Sequence, residues 1–256
     1  MSAATPLHLD ATLLAADVPE REYRRLLGLP READMSEDLR GRAEWARGWY
    51  ASQGRPFVAA RRVEVTALTA QSVTVGGGQT LTSGALAERL SSGKAHALVV
   101  LAVTAGREVA DEAARLWRDG RPDEGYFLDR FAAAIAESLV QRASAILCAQ
   151  LLPQGEWLLA HLSPGCGQWD IADQHRLMAL LTGRAVPEVD DADERTAGPV
   201  TLLSSGALRP QHSVLAALGV TREPRGGRTA IPCRSCDLDP CSFRRVPYRQ
   251  DEIRPG

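Results

Sequence analysis

The sequence of 256 residues has very little lysine, few aromatic residues and no strongly basic stretch. Lys94 is the single lysine, and the residues before it do not form the glycine-rich loop of a P-loop, so that nucleotide-binding motif is excluded. Arginine supplies the remaining positive charge, and 30 basic against 32 acidic residues give a net charge of -2. Because nothing here would neutralise a phosphate backbone, nucleic acid is not an expected partner.

Long apolar runs of the kind that cross a membrane are also lacking. The longest, such as HALVVLAV at 96–103, are too short to span a bilayer. The N-terminus has acidic residues where a secretion signal would have a basic start and an apolar segment. We therefore expect a cytoplasmic protein with no membrane partner, and the 45% hydrophobic content is enough for a buried core.

The order of predicted helices and strands favours an α+β fold. Apolar spacing and capping residues predict helices at 19–29, 36–54, 107–117, 126–152 and 170–183, with Ser36 and Thr104 as N-caps. Strands are predicted at 56–68, 71–75, 96–106, 156–162, 199–205 and 212–220. The run at 96–106 is apolar throughout, which predicts a central strand. We expect a helical lead-in at 1–55 and an α+β domain at 56–256, together forming one compact unit.

Three cysteines lie within nine residues near the C-terminus, in the pattern C-x2-C-x4-C. Cys233, Cys236 and Cys241 could bring three thiolates to one iron-sulfur cluster or zinc ion, and both centres normally need a fourth ligand. Cys166, in the glycine-rich loop SPGCGQW, is the first candidate for that ligand. His161, His175 and His212 are weaker candidates. Thiols with no metal role, or a redox pair of Cys233 and Cys236, are the alternatives.

Three blocks of the sequence resemble the activation domain of cobalamin-dependent methionine synthase, and especially the free-standing proteins built from that domain. The first block is the loop and helix HLSPGCGQWDIADQH, where the matching residues are Ser163, Pro164, Gly165, Cys166, Trp169, Asp170 and Gln174. The second is LRPQHSVLAALGV, with Pro210, Ser213 and Gly219 matching and His212 at a lysine position. The third is the cysteine-rich tail, which free-standing members often carry.

The resemblance implies a twisted antiparallel sheet with flanking helices and a role in methionine biosynthesis. In the parent enzyme this domain binds S-adenosylmethionine and allows oxidised cobalamin to be reduced and remethylated, so the implied partner is a cobalamin-dependent methyltransferase or another corrinoid protein, with an electron donor as a possible second partner. The loop that the resemblance places against the cofactor comprises His161, Ser163, Pro164, Gly165, Cys166, Gly167 and Trp169.

Three positions differ from the parent pattern. His161 stands where the parent has an arginine for the ligand carboxylate, and Ala133 stands where it has an acidic residue. Cys166 also replaces a tyrosine. A neutral imidazole cannot reproduce a bidentate arginine, so these departures weaken the case for binding of S-adenosylmethionine.

Two functions of different classes follow from these patterns. The first is reductive activation or binding of a corrinoid protein, with the four cysteines holding an iron-sulfur cluster or zinc. The second is a non-catalytic interaction module that docks on a corrinoid methyltransferase and uses zinc only as a structural clip. A thiol-based redox protein is a third possibility. The residue patterns identify no catalytic residue.

Overall fold

The computed structural model describes residues 5–7, 9, 18–29, 34–166, 168–183 and 195–224. The helices in these ranges are α1 (Glu20–Leu26), α2 (Glu37–Gln53), α3 (Gly84–Ser92), α4 (Arg107–Arg118), α5 (Pro122–Leu151) and α6 (Asp173–Thr182). The strands are β1 (Thr5–Leu7), β2 (Phe57–Leu68), β3 (Ser72–Val75), β4 (Thr80–Thr82), β5 (Ala95–Thr104), β6 (Trp157–Leu158), β7 (Arg195–Ala197), β8 (Val200–Leu202), β9 (Leu208–Arg209) and β10 (Ser213–Thr221).

Seven of the described strands form one antiparallel sheet. Its order is β4-β3-β2-β5-β10-β6, and β1 pairs with β2. Strand β5 lies between β2 and β10 and pairs with both along most of its length, which confirms the predicted central strand. Strands β7, β8 and β9 form a second, smaller antiparallel sheet among the described residues. The α+β fold class, a twisted antiparallel sheet with flanking helices, is confirmed.

The large sheet is covered on both faces, and β5 shows why its sequence is apolar throughout. Alternate residues of a strand point to opposite faces. One set, Ala97, Val99, Leu101 and Val103, packs against α1, α2, α4 and α5, which we call the first face. The other set, Leu98, Val100 and Ala102, packs against α3, α6 and β8, which we call the second face. A strand buried on both sides cannot alternate with polar residues.

Helix α5 is the main helix of the first face. Half of its 30 residues are buried, in a stripe that includes Phe127, Phe131 and Ile135. Helix α5 and the turn that follows it form a stretch, Pro122–Gln154, that is long and apolar enough to cross a membrane. However, 67% of its most apolar 18-residue segment is buried within the fold. Burial against the sheet accounts for its apolar composition.

Several predicted boundaries differ from the observed ones. Ser36 accepts a hydrogen bond from the Leu39 amide, so that cap is confirmed, whereas the cap predicted at Thr104 is wrong. Helix α4 starts after Gly106, which has no side chain to cap it, and the Thr104 hydroxyl instead accepts a hydrogen bond from the Gly106 amide at 3.1 Å. The strand predicted at 156–162 is reduced to β6 and a single bridge between Leu162 and Ala217. The domain division at residue 55 stays a prediction.

Candidate functional site

The loop that the sequence singled out connects β6 to α6 and is closed by its own backbone. The Gly165 amide donates to the Trp169 carbonyl at 2.8 Å, and the Cys166 amide donates to the Ser163 carbonyl at 3.1 Å. Gly165 has a φ of +85°, in the left-handed region that residues with a Cβ rarely adopt. The Pro-Gly pair therefore makes a tight turn with a defined shape.

Asp173 anchors the end of this loop. Its Oδ2 accepts a hydrogen bond from the Trp169 indole Nε1 at 2.8 Å and another from the Thr82 amide at 2.7 Å. Its Oδ1 pairs with the Arg176 guanidinium. Asp173 is 1% exposed and Trp169 is 2% exposed, so this carboxylate is buried and its charge is compensated. The loop is thereby tied to both β4 and α6.

Arg89 holds the start of the same loop. Its Nη1 donates to the carbonyls of Ala160 and His161, at 3.3 Å and 3.2 Å. Burial lowers the pKa of Arg89 below its ordinary value, with Glu88 acting in the opposite direction. The guanidinium thus binds backbone carbonyls from inside the fold. The segment 160–162 is held to α3 by Arg89 and to β10 by the Leu162 bridge.

The residues predicted to face a cofactor differ widely in exposure. Gly165 and Cys166 are exposed, Pro164 and Trp169 are buried, and His161 and Ser163 are half-buried. Gly167 lies outside the described residues. Among the described residues of the loop from 161 to 169, Gly165, Cys166 and Gln168 are therefore the ones most accessible to a large partner. A cofactor contact by any of these residues stays a prediction.

The predicted metal centre lies largely outside the described residues. Cys233, Cys236 and Cys241 all fall there, so their meeting with the exposed Cys166 stays a prediction. Within the described ranges, no group of three His, Cys, Asp or Glu side chains is placed to hold a metal ion. Cys148 is half-buried on α5, as expected for a packing residue.

The block at 210–219 has a structural explanation in the fold. The Ser213 hydroxyl donates to the Pro210 carbonyl at 2.7 Å where β10 begins. A Cβ at Gly219 would lie 2.6 Å from Leu90 and 2.7 Å from Leu159, so a larger residue would have to displace these two side chains from β10. These three matching residues thus shape the strand.

His212 contacts α5 across the first face. Its Nε2 lies 2.7 Å from the Asp129 Oδ1, and its carbonyl accepts a hydrogen bond from the Ala105 amide at 3.0 Å. Burial alone would raise the pKa of Asp129, but His212 and Arg130 outweigh it and lower that pKa below its usual range. The Nε2 of His212 is thus used in a contact with α5.

Sequence reasoning missed Asp173, Arg89 and Asp129, which fix the loop and the start of β10. Asp173 had one local signal, because Trp169 and Asp173 are four residues apart at the start of a predicted helix, where side chains can meet. Arg89 and Asp129 act over long separations of 72 and 83 residues. No local pattern could have indicated those contacts.

Comparisons with known proteins support the fold. No protein-family model matches the sequence, and no curated protein matches it. Among solved structures, the crystal structure of the MetH reactivation domain bound to AdoHcy matches with a TM-score of 0.60, covering 88% of this chain and 80% of that chain at 12% sequence identity. The chain therefore has a fold like that of the MetH reactivation domain.

Proposed function

We propose that this protein binds a corrinoid protein, such as a cobalamin-dependent methionine synthase, and takes part in returning its oxidised cobalamin to the active state. The partner's cobalamin would supply the chemistry, and this chain would supply position and electrostatics. The exposed tip at Gly165 and Cys166 is the proposed contact with the corrinoid face of the partner. The likeness to the MetH reactivation domain over 88% of the chain is the observation that carries the proposal.

The geometry of the loop supports this contact. Among the described residues of the turn, Gly165, Cys166 and Gln168 are exposed, while Pro164 and Trp169 are buried. Gly165 has no side chain and Cys166 has a small one, so this part of the turn can approach a large flat cofactor closely. The bonds that Asp173 makes to Trp169 and Thr82 hold the tip in place before any partner arrives, which reduces the entropy lost on binding.

Binding of AdoHcy, which the structural neighbour shows, is not part of the proposal. The position that resembles the parent's arginine carries the half-buried imidazole of His161. The position that resembles its acidic residue carries Ala133, which is 7% exposed within the first face. Neither place has the bidentate guanidinium or the carboxylate that would pair with a zwitterionic ligand.

The proposal includes a metal centre held by Cys166, Cys233, Cys236 and Cys241. Four thiolates suit an iron-sulfur cluster or zinc and do not suit magnesium or calcium. Cys166 is exposed on a loop, where its thiolate is accessible to a metal ion. An iron-sulfur cluster there would bring an electron-transfer centre next to the proposed corrinoid contact, whereas zinc would make the centre a structural clip.

The docking is tested by titrating the protein with the cobalamin-loaded cobalamin-binding domain of a methionine synthase and measuring the dissociation constant by calorimetry. Cys166→Arg places a long charged side chain on the loop tip and is expected to weaken binding at least tenfold. Ala51→Arg, at an exposed position of α2 on the first face, is the matched control and should bind as the unmodified protein does. Equal binding of both variants, or no binding of the unmodified protein, would refute the docking.

The metal centre is tested by anaerobic purification followed by measurement of iron, zinc and sulfide. Brown protein that loses its visible absorption in Cys236→Ser supports the cluster, and zinc without iron supports the structural clip. Protein with neither metal would remove the centre from the proposal. Cys166→Arg changes both a proposed metal ligand and the proposed contact surface. Cys236→Ser removes only a metal ligand, so its binding in the docking titration separates loss of metal from loss of the contact surface.

A further inference from the structure

An open groove of about 810 Å³ lies beside the loop and is not used by the proposed docking. It is formed by the start of α4, the start of α6, and the small sheet with the turn that leads into β10. This volume is within the range of small-molecule sites. Its residues are separate from the loop tip at 165–166, so the function of the groove can be tested independently.

The groove carries positive charge. Arg107 and Arg209 both line it and are exposed, and within the described residues neither guanidinium forms an ion pair or a side-chain hydrogen bond. Arg107 is the first residue of α4, a helix of 12 residues whose N-cap, Gly106, has no side chain to satisfy the first amides. The helix N-terminus and the two arginines that line the groove favour an anion such as phosphate, and Glu108 in the first turn of α4 offsets part of that charge.

A buried amide forms another part of the groove and is an independent sign of a ligand. Gln174 lines the groove and is only 8% exposed, and its Oε1 accepts no hydrogen bond from the described residues. A buried acceptor without a donor destabilises the unliganded protein. The terminal torsion of glutamine is soft, so the carboxamide can turn its oxygen towards a donor in the groove.

The remaining lining suits the body of a ligand. Ile171 and Leu208 provide apolar surface in the lining. Asp111 and Thr201 add polar groups that can hold hydroxyls, as carboxylates do for a ribose. The groove therefore combines positive charge for an anion, apolar surface, groups for hydroxyls and an acceptor in need of an N–H donor.

We propose that this groove binds a nucleoside monophosphate, with the phosphate at Arg107, Arg209 and the first amides of α4, and the base edge at Gln174. Each of the common bases carries an N–H donor on its edge, and glutamine is a frequent partner of such edges. The two arginines and one aspartate give the lining a net positive charge, which suits a nucleotide and not a neutral nucleoside.

Calorimetry and thermal unfolding with AMP, GMP, CMP and UMP test the proposal, with adenosine and inorganic phosphate as partial probes. At least one monophosphate should bind with a dissociation constant of about 100 µM or tighter, and each partial probe should bind at least about tenfold more weakly. The double variant Arg107→Gln/Arg209→Gln should lose at least about tenfold in affinity. Arg118→Gln, at the exposed far end of α4, is the matched control and should bind normally.

Gln174→Leu distinguishes a ligand-binding role from a structural one. Because it removes an unsatisfied acceptor and keeps a similar shape, it should leave the melting temperature of the unliganded protein unchanged or higher, while the shift produced by the nucleotide is lost. A lower melting temperature with unchanged nucleotide affinity would overturn the proposal. So would the failure of all four monophosphates to bind at about 1 mM, a result that would leave the docking by the loop tip intact.

Discussion

The two faces of the large sheet are built from different chemistry. On the first face the Phe131 ring lies 4.9 Å from the Tyr23 ring and 5.7 Å from the Tyr50 ring, both edge to face. Both phenols donate to backbone carbonyls, and burial raises the pKa of each, so they stay neutral. On the second face a buried carboxylate, Asp173, and the nearly buried amide of Gln174 lie among the apolar residues.

This difference indicates where the molecule is specialised for binding. Apolar and aromatic packing stabilises a fold without preference for a ligand, whereas buried polar groups stabilise it only when every one has a partner. Among the described residues, three buried side-chain polar atoms lack a partner, and two of them, the Ser163 Oγ and the Gln174 Oε1, lie in the loop and at the groove. The first face is therefore mainly the scaffold, whereas the loop lies at the second face and the groove lies where α6 and the small sheet of the second face meet the start of α4.

The largest expected effect is on the scaffold. Phe131→Ala removes the ring that joins Tyr23 to Tyr50 and leaves a cavity, so we expect a loss of about 3–5 kcal/mol in the free energy of unfolding, measured by urea denaturation. Leu152→Ala, at a position 52% exposed, is the control and should change the stability by less than about 1 kcal/mol. Similar losses in the two variants would show that the aromatic cluster contributes no more to the free energy of unfolding than an exposed side chain does.

Sequence reasoning reached the scaffold further than the binding regions. The apolar run of β5, the spacing of α5 and the cap at Ser36 are local signals, and each led to the observed element. The bond from Thr82 to Asp173 joins residues 91 apart, and the groove is assembled from three separate segments, so neither has a local signature. The cap at Thr104 failed because the strand continues through that residue and buries it completely.

A smaller effect is expected at the second face. Asp173→Ala leaves the Trp169 indole and the Thr82 amide without an acceptor, so we expect a loss of about 3 kcal/mol in unfolding free energy and a faster exchange of the Thr82 amide hydrogen. Asp173→Asn keeps one acceptor oxygen and should lose less. If Asp173→Ala leaves both the stability and the exchange unchanged, the loop is not anchored through this carboxylate.

The smallest effect concerns Glu156, a buried charge at the border of the first face. Glu156 accepts hydrogen bonds from the Arg62 guanidinium at 2.5 Å and 3.1 Å, and its Oε1 lies 2.9 Å from the His96 Nε2. The bonds from Arg62 lower the pKa of Glu156 below its usual value, burial opposes this, and His96 adds to the lowering. Glu156→Gln should therefore cost about 2 kcal/mol at neutral pH.

The pH dependence of that loss tests its electrostatic origin. Folding lowers the pKa of this carboxylate. The stability that it contributes is therefore fully present above its pKa in the unfolded chain, about 4.5, and is lost as the pH falls through its lower pKa in the folded protein. The difference in unfolding free energy between the unmodified protein and Glu156→Gln should thus be constant from pH 6 to about pH 5 and shrink below about pH 4.5. A difference that persists at pH 3 would assign the loss to packing, and the border of the first face would then behave like its apolar centre.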